Sequence, residues 1–165
     1  IYNHFGGKEG IAIALYKHLL IEMQDLVDCA IAEKTTAIER CNEIIKQLFY
    51  YTETHRNIIA YVFHPRHNEF IPDEPPICNS SPFVAMREII QQGMDNGEIR
   101  EHSLMVAAAA IFGPPIRLIH LRIDDVISSP LPESLDEVIE TIWQGMLGDS
   151  SREKTEDNNL SLVNT

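Results

Sequence analysis

The chain opens Ile1-Tyr2-Asn3-His4-Phe5-Gly6-Gly7-Lys8-Glu9-Gly10, and the reading of this stretch decides how the rest is understood. Two adjacent glycines suit the end of a helix, where the backbone turns to positive φ and a Cβ is penalised. Lys8-Glu9-Gly10-Ile11-Ala12-Ile13-Ala14-Leu15-Tyr16 then starts a new apolar period at helical spacing. A short helix, a tight turn and a long helix are expected at this corner. Tyr2 offers a hydroxyl, His4 an imidazole N–H and Lys8 an ammonium beside a helix N-terminus whose free amides and dipole favour an anion. Such a corner suits a phosphate backbone.

Tyr2-Asn3-His4-Phe5-Gly6-Gly7-Lys8-Glu9 resembles the Tyr-x-His-Phe-x-x-Lys-Glu signature that closes the recognition helix in tetracycline-repressor (TetR) family regulators. The resemblance implies that Tyr2, His4 and Lys8 contact the DNA backbone and that Phe5 packs inside a small helix-turn-helix. Base-reading residues of such a motif lie toward the N-terminus of its second helix, which puts them upstream of Ile1. The chain is therefore expected to be a fragment that opens inside the motif. Duplex DNA is an expected partner only with the missing N-terminal residues restored.

Composition bounds the remaining choices. The 165 residues suit a single domain, long enough to bury roughly 70% of the unfolded chain's surface. A net charge of −12 argues against nucleic-acid binding by the bulk surface. Cys29, Cys41 and Cys78 are few, widely spaced and odd in number, so neither a disulfide framework nor a zinc motif is indicated and a reducing cytoplasm is expected. No apolar run approaches the ~20 residues that span a bilayer, and no membrane partner is expected.

The pattern then reads as helices throughout. The first is expected from Lys8 to Glu33, with Ile11, Leu15, Leu19, Leu26 and Ala30 as its stripe, Met23 and Val27 widening it, and Glu22, Gln24, Asp25 and Asp28 on the wet side. Thr35-Thr36 supplies an N-cap for a second helix carrying Ile38, Cys41, Ile44, Ile45, Leu48, Phe49 and Tyr51 or Thr52. A third, from Asn57 to about His64, is apolar almost all round and is expected to be buried. Five prolines between Pro65 and Pro82 enforce a long loop. Ser81-Pro82 starts the next helix, as N-cap and first helical residue, and Asn96-Gly97 closes it. Residues 89–100 also resemble the "helix, Gly-Glu-x-Arg, polar cap, Ala-rich helix" segment of the same family.

Ser103 is placed to cap a small-residue helix through Val106 and Phe112, and Gly113-Pro114-Pro115 predicts a break or kink near Phe112 with resumption to Asp124. Ser128 to Pro132 reads as a loop and Ser134-Leu135-Asp136-Glu137 as a capping box for the last helix. That helix carries Val138, Ile139, Ile142, Trp143, Met146 and Leu147 and stops at Gly148. Residues 149–165 are polar and aperiodic, a disordered tail by composition.

The expected fold class is all-α: residues 1–33 as the end of a DNA-binding head and its linking helix, 34–148 as a regulatory body, and 149–165 as the tail. In the family resembled, that body binds a small molecule, and its last two helices pair with those of a second subunit as a four-helix bundle. The broad apolar faces of the matching helices here, Ala107, Ala110, Ile111, Ile119, Ile139, Ile142, Trp143 and Met146, exceed the needs of one small core, and a homodimer is expected.

For an unidentified effector the chain offers aromatic and polarizable lining. Phe49, Tyr61, Phe63, Met86 and Phe112 are the candidate wall, with Arg117 and His120 as polar groups that an anionic effector would use. His64-Pro65-Arg66-His67 carries two imidazoles, but Pro65 prevents regular helical spacing, so no metal and no cofactor are expected. There is no nucleophile elbow, no Gly-rich phosphate loop after a strand and no metal triad, which argues against an enzyme. The expectation is a DNA-binding transcriptional regulator, a repressor, with a dimerising, effector-binding helical body. The alternative is an all-helical interaction module that binds a protein partner and no DNA; a helical enzyme stands third.

Overall fold

The computed structural model describes residues 7–63 and 77–148 and, within them, the side chains of all but Lys8 and Glu9. These residues form six α-helices and two 3-10 turns: α1 (Lys8–Glu33), α2 (Ala37–Thr54), α3 (Arg56–Val62), a turn at Ile77–Asn79, α4 (Ser81–Asp95), α5 (Leu104–Ile123), a turn at Leu131–Ser134, and α6 (Leu135–Met146). The fold is all-α, as the pattern required. The expected loop over 65–76 and the tail over 149–165 lie outside the described residues.

Helix α1 starts after Gly7, whose φ of 102° is a conformation that side chains rarely adopt. Its buried face is Tyr16, Leu19, Met23, Val27 and Ala30. The expected stripe is rotated: Leu15 is 41% exposed, and Tyr16 takes its place. The cause is that α1 packs against α2, α3 and α4, with Leu19 and Met23 meeting Val62 of α3 and Val27 and Ala30 in the main core, which leaves Leu15 at the edge. Glu22, expected on the wet side, accepts the Tyr51 hydroxyl proton at 2.7 Å.

Helix α2 is the centre of the molecule. Thr36 Oγ1 accepts the Glu39 N–H at 3.1 Å while the Glu39 carboxylate accepts the Thr36 N–H at 3.0 Å, a complete capping box. Cys41, Ile44, Ile45, Leu48, Phe49 and Thr52 are all buried, and Thr52 returns its hydroxyl to the Leu48 carbonyl. Burying a side chain such as Phe49 stabilises by roughly 1.5–3 kcal/mol. Burial pushes the Cys41 thiol up to about 12, so it is a packing residue in its neutral form.

Three local expectations are corrected. Helix α3 ends at Val62, and only Ile59 and Val62 on it are buried; Ile58, Tyr61 and Phe63 are half-buried, so α3 lies on the core and not within it. Helix α4 takes Ser80 as its N-cap position, one residue early, and the Ser80 hydroxyl turns back to the Ile77 carbonyl at 2.6 Å. The 3-10 turn brings the chain into α6 with Ser134 at φ −99°, ψ 4°, and without a side-chain cap. A capping box needs an extended N-cap residue, and the turn removes that condition.

The fourth correction is the largest. Helix α5 runs unbroken from Leu104 to Ile123 with Pro114 and Pro115 inside it. The prolines withhold N–H groups from the Ala110 and Ile111 carbonyls, at about 3 kcal/mol for an interior proline. Ala107, Ile111, Phe112, Pro115 and Ile119 are buried on one side of the helix, before and after the interruption, and this packing offsets the loss. Among the described residues α5 is also the one helix long and apolar enough to cross a membrane, contrary to the expectation from run length. Its buried face belongs to the core of the bundle.

The link from α4 to α5 closes the structure. Gly97 turns at φ 73°, Arg100 N–H donates to Met146 O at 2.9 Å, and Gly148 N–H donates to Glu98 O at 2.9 Å. Gly93 is the close-approach point: a Cβ there would lie 2.6 Å from Ile99 Cδ1 and 2.7 Å from Ala37 Cβ. The main core runs through α2, α4, α5 and α6, and a second, smaller cluster of Leu19, Met23 and Val62 joins α1 to α3.

Candidate effector cavity and pairing face

Where α1, α2 and α3 meet, the packing leaves a cavity of about 30 Å³ lined by Leu19, Glu22, Met23, Leu26, Leu48, Tyr51, Ile58, Ile59 and Val62. It adjoins the small α1–α3 cluster. Apolar side chains make almost the whole wall, and the Glu22–Tyr51 hydrogen bond is its polar point. Burial, together with the Glu22 carboxylate that accepts its proton, pushes the Tyr51 phenol up to about 12. The Tyr51 ring stacks on His55 at 4.3 Å. Across the same contact Tyr61 donates its hydroxyl to the Ala12 carbonyl at 3.0 Å, joining α3 to the first part of α1.

A second, larger space of about 630 Å³ is an open groove between α5 and α6. Ala110, Pro114, Arg117 and Leu118 line one side, and Glu137, Val138, Thr141, Ile142, Gly145 and Met146 the other. One turn before Ala110 on the same side of α5, Val106 is 57% exposed.

Charged groups fasten the far end of α5. Glu53 grips Arg122 with both oxygens, at 3.0 and 2.9 Å, and accepts the Leu131 N–H at 3.1 Å. Arg122 also donates to the Ile127 and Ser128 carbonyls. The Arg122 guanidinium holds the Glu53 carboxyl below the usual carboxylate range, with the Leu131 N–H adding to the effect. From α3, Arg56 donates to the Arg122 and Ile123 carbonyls and pairs with Asp125 at 2.7 Å. These bonds close the C-terminus of α5.

The structure scatters the residues read from sequence as an effector wall. Phe49, Met86 and Phe112 are core residues. Tyr61 and Phe63 are half-buried around α3, and His120 lies against Phe63, its Nε2 at 3.0 Å from the Phe63 carbonyl. Arg117 lines the α5/α6 groove and not the cavity. The candidate pairing residues also divide. Ala107, Ile111 and Ile119 are fully buried within the chain, so they hold α5 to the core, whereas Ala110, Ile142 and Met146 line the groove. Ile139 lies on the other side of α6, beside Asn42 and Glu43, and the Trp143 indole donates to Asn42 at 2.6 Å. Tyr2, His4, Phe5 and the Lys8 side chain lie outside the described residues, as do His64 to His67. Sequence reasoning missed Glu22, Tyr51, Glu53 and Glu98, whose partners are 29 or more residues away.

Among the described residues this arrangement is a helical body with a small apolar cavity between α1, α2 and α3 and an open groove between α5 and α6. Its fold is that of a solved TetR family transcription regulator from Marinobacter aquaeolei VT8, which superposes with a TM-score of 0.71 at 15% identity, over 89% of this chain and 76% of that one. A protein of unknown function from Rhodococcus sp. RHA1 superposes with a TM-score of 0.69 at 16% identity, over 88% of this chain and 76% of that one. No protein-family model and no curated protein matches the sequence.

Proposed function

We propose that the chain is the regulatory body of a DNA-binding transcriptional repressor that works as a homodimer and answers to a small-molecule effector in the cytoplasm. The observation that carries this reading is a TetR-like fold with an open α5/α6 groove and a separate small cavity between α1, α2 and α3. In this reading residues 1–33 belong to the DNA-binding head and its linking helix, and 34–148 to the effector-binding and dimerising body. Tyr2, His4 and Lys8 touch the phosphate backbone. A symmetric pair lays α5 of one copy along α6 of the other, where Arg117 meets the acidic Glu137 and Glu140.

The effector acts through the contact between α1 and α3. A guest in the cavity displaces α3 from α1 and loosens the bond from Tyr61 to Ala12, and its differential affinity for the two arrangements sets the size of the response. The net charge of −12 favours a second reading, an interaction module without DNA binding. Duplex binding by protein carrying the residues upstream of Ile1 separates the two: a regulator binds with steep salt dependence, and an interaction module does not bind at all.

A further inference from the structure

On the reading of the α5/α6 groove as a pairing face, two of its side chains say which partner it takes. Arg117 stands on the α5 wall and Glu137 on the α6 wall, and both are exposed. The lining around them is mostly apolar, with Leu118, Val138, Ile142 and Met146. Among the described residues neither charged side chain has a hydrogen bond or an ion pair. Other guanidinium groups are used within the chain: Arg122 holds Glu53, Arg56 donates to the Arg122 carbonyl, Arg40 to the Lys34 carbonyl and Arg87 to the Cys78 carbonyl. A cation on one wall and an acid on the other make the groove complementary to itself. In a two-fold pair with α5 of one copy along α6 of the other, Arg117 meets Glu137 of the second copy, and the reverse contact follows by symmetry.

We propose that Arg117 and Glu137 form two reciprocal ion pairs across the dimer and so restrict this face to a second copy of the same chain. Burial of an apolar groove supplies affinity without direction, and any apolar helix could exploit it. Charges at fixed places add selection. A partner with a like charge opposite either one is repelled, and a partner with none leaves both desolvated and unpaired. A surface that carries the opposite charges in the same arrangement satisfies both, and a copy of this groove does so by symmetry. Glu140, the next acid along α6, accepts from Gln144 at 3.4 Å and lies outside the groove lining, so Glu137 is the partner of Arg117 that carries the selection.

The test is sedimentation equilibrium of the chain and of its charge reversals, with far-UV circular dichroism to establish that each is folded. Arg117→Glu and Glu137→Arg should each raise the dimer dissociation constant at least about tenfold, because like charges then face each other twice. An equal mixture of the two should sediment as a dimer again, since one copy offers two acids and the other two cations. Both variants remain acidic overall, so recovery on mixing would not come from bulk attraction. Asp136→Arg, a reversal one residue away and outside the groove lining, should leave the dissociation constant unchanged. Arg117→Gln and Glu137→Gln, milder changes, should weaken pairing non-additively, the double variant losing no more than either alone. A parent dimer that ignores the reversals, or reversals that stay monomeric when mixed, would overturn the ion pairs while leaving the pairing face. Dissociation by Asp136→Arg to the same extent would assign the effect to overall charge and overturn them too. A parent that is monomeric at every concentration would remove the pairing face, and the proposal with it.

Discussion

Glu98 Oε2 accepts the backbone N–H of Ala37 at 2.8 Å, across 61 residues of sequence. Ala37 is the first residue of α2, so a carboxylate from the α4–α5 link satisfies an orphan donor of the central helix and favours its positive end. The Glu98 carbonyl meanwhile accepts the Gly148 N–H, so one residue ties the start of α2 to the end of α6. Glu98→Ala should lower stability by about 1–2 kcal/mol, read as a lower urea midpoint with an unchanged m-value. Glu98→Gln, which keeps an acceptor oxygen, should cost less. Equal stability of all three proteins would deny Glu98 its capping role.

The Glu53–Arg122 pair gives a pH signature. The folded-state carboxyl titrates below its unfolded value of about 4.3, so its contribution is complete above that value and disappears as pH falls through the folded one. Glu53→Gln should therefore be less stable than the parent by about 1–3 kcal/mol at neutral pH. The gap should close progressively in acid below about pH 4. Denaturant melts across pH 3–8 check this; a gap independent of pH would assign the loss to packing.

The prolines of α5 can be weighed directly. Pro114 is exposed and sits in a helix that continues past it. Pro114→Ala restores an N–H for the Ala110 carbonyl and removes the ring clash, and should raise the stability of the isolated chain by about 1–3 kcal/mol. A fall in the melting temperature at low protein concentration would show that the ring holds the helix in a bent course that the core requires.

Gly145 separates folding from pairing. It is exposed in the α5/α6 groove, and a Cβ built there meets nothing within 4 Å. Gly145→Ala should stabilise the helix by about 1 kcal/mol. Gly145→Arg should fold equally well but put a long cation where a second copy would lie, and sedimentation equilibrium should then find a monomer where the parent is a dimer. A parent that sediments as a monomer at every concentration removes the pairing face.

Much of the fold was legible because it is written in short-range periodicity. The limits of α1, the Thr36 cap, the close of α4 at Gly97 and the buried face of α2 each depend on residues within a turn or two of one another. What escaped depends on distance. Nothing near Glu22 in sequence indicates Tyr51, and nothing near Glu98 indicates Ala37, because tertiary packing chooses those partners. Pro114-Pro115 misled for a related reason: the local penalty is real, but burial of Ile111, Pro115 and Ile119 outweighs it. Aromatic content marks core and cavity alike, and Phe49 and Phe112 lie in the core.

The most direct test of the account is fluorescence anisotropy with random genomic duplex, using protein that carries the residues upstream of Ile1, alone and as Lys8→Ala. The account predicts binding that weakens linearly in log–log coordinates between about 50 and 200 mM salt, and a slope reduced by roughly one unit per subunit in Lys8→Ala across all sequences. Absence of binding at low salt, or a Lys8→Ala slope equal to the parent's, would contradict it.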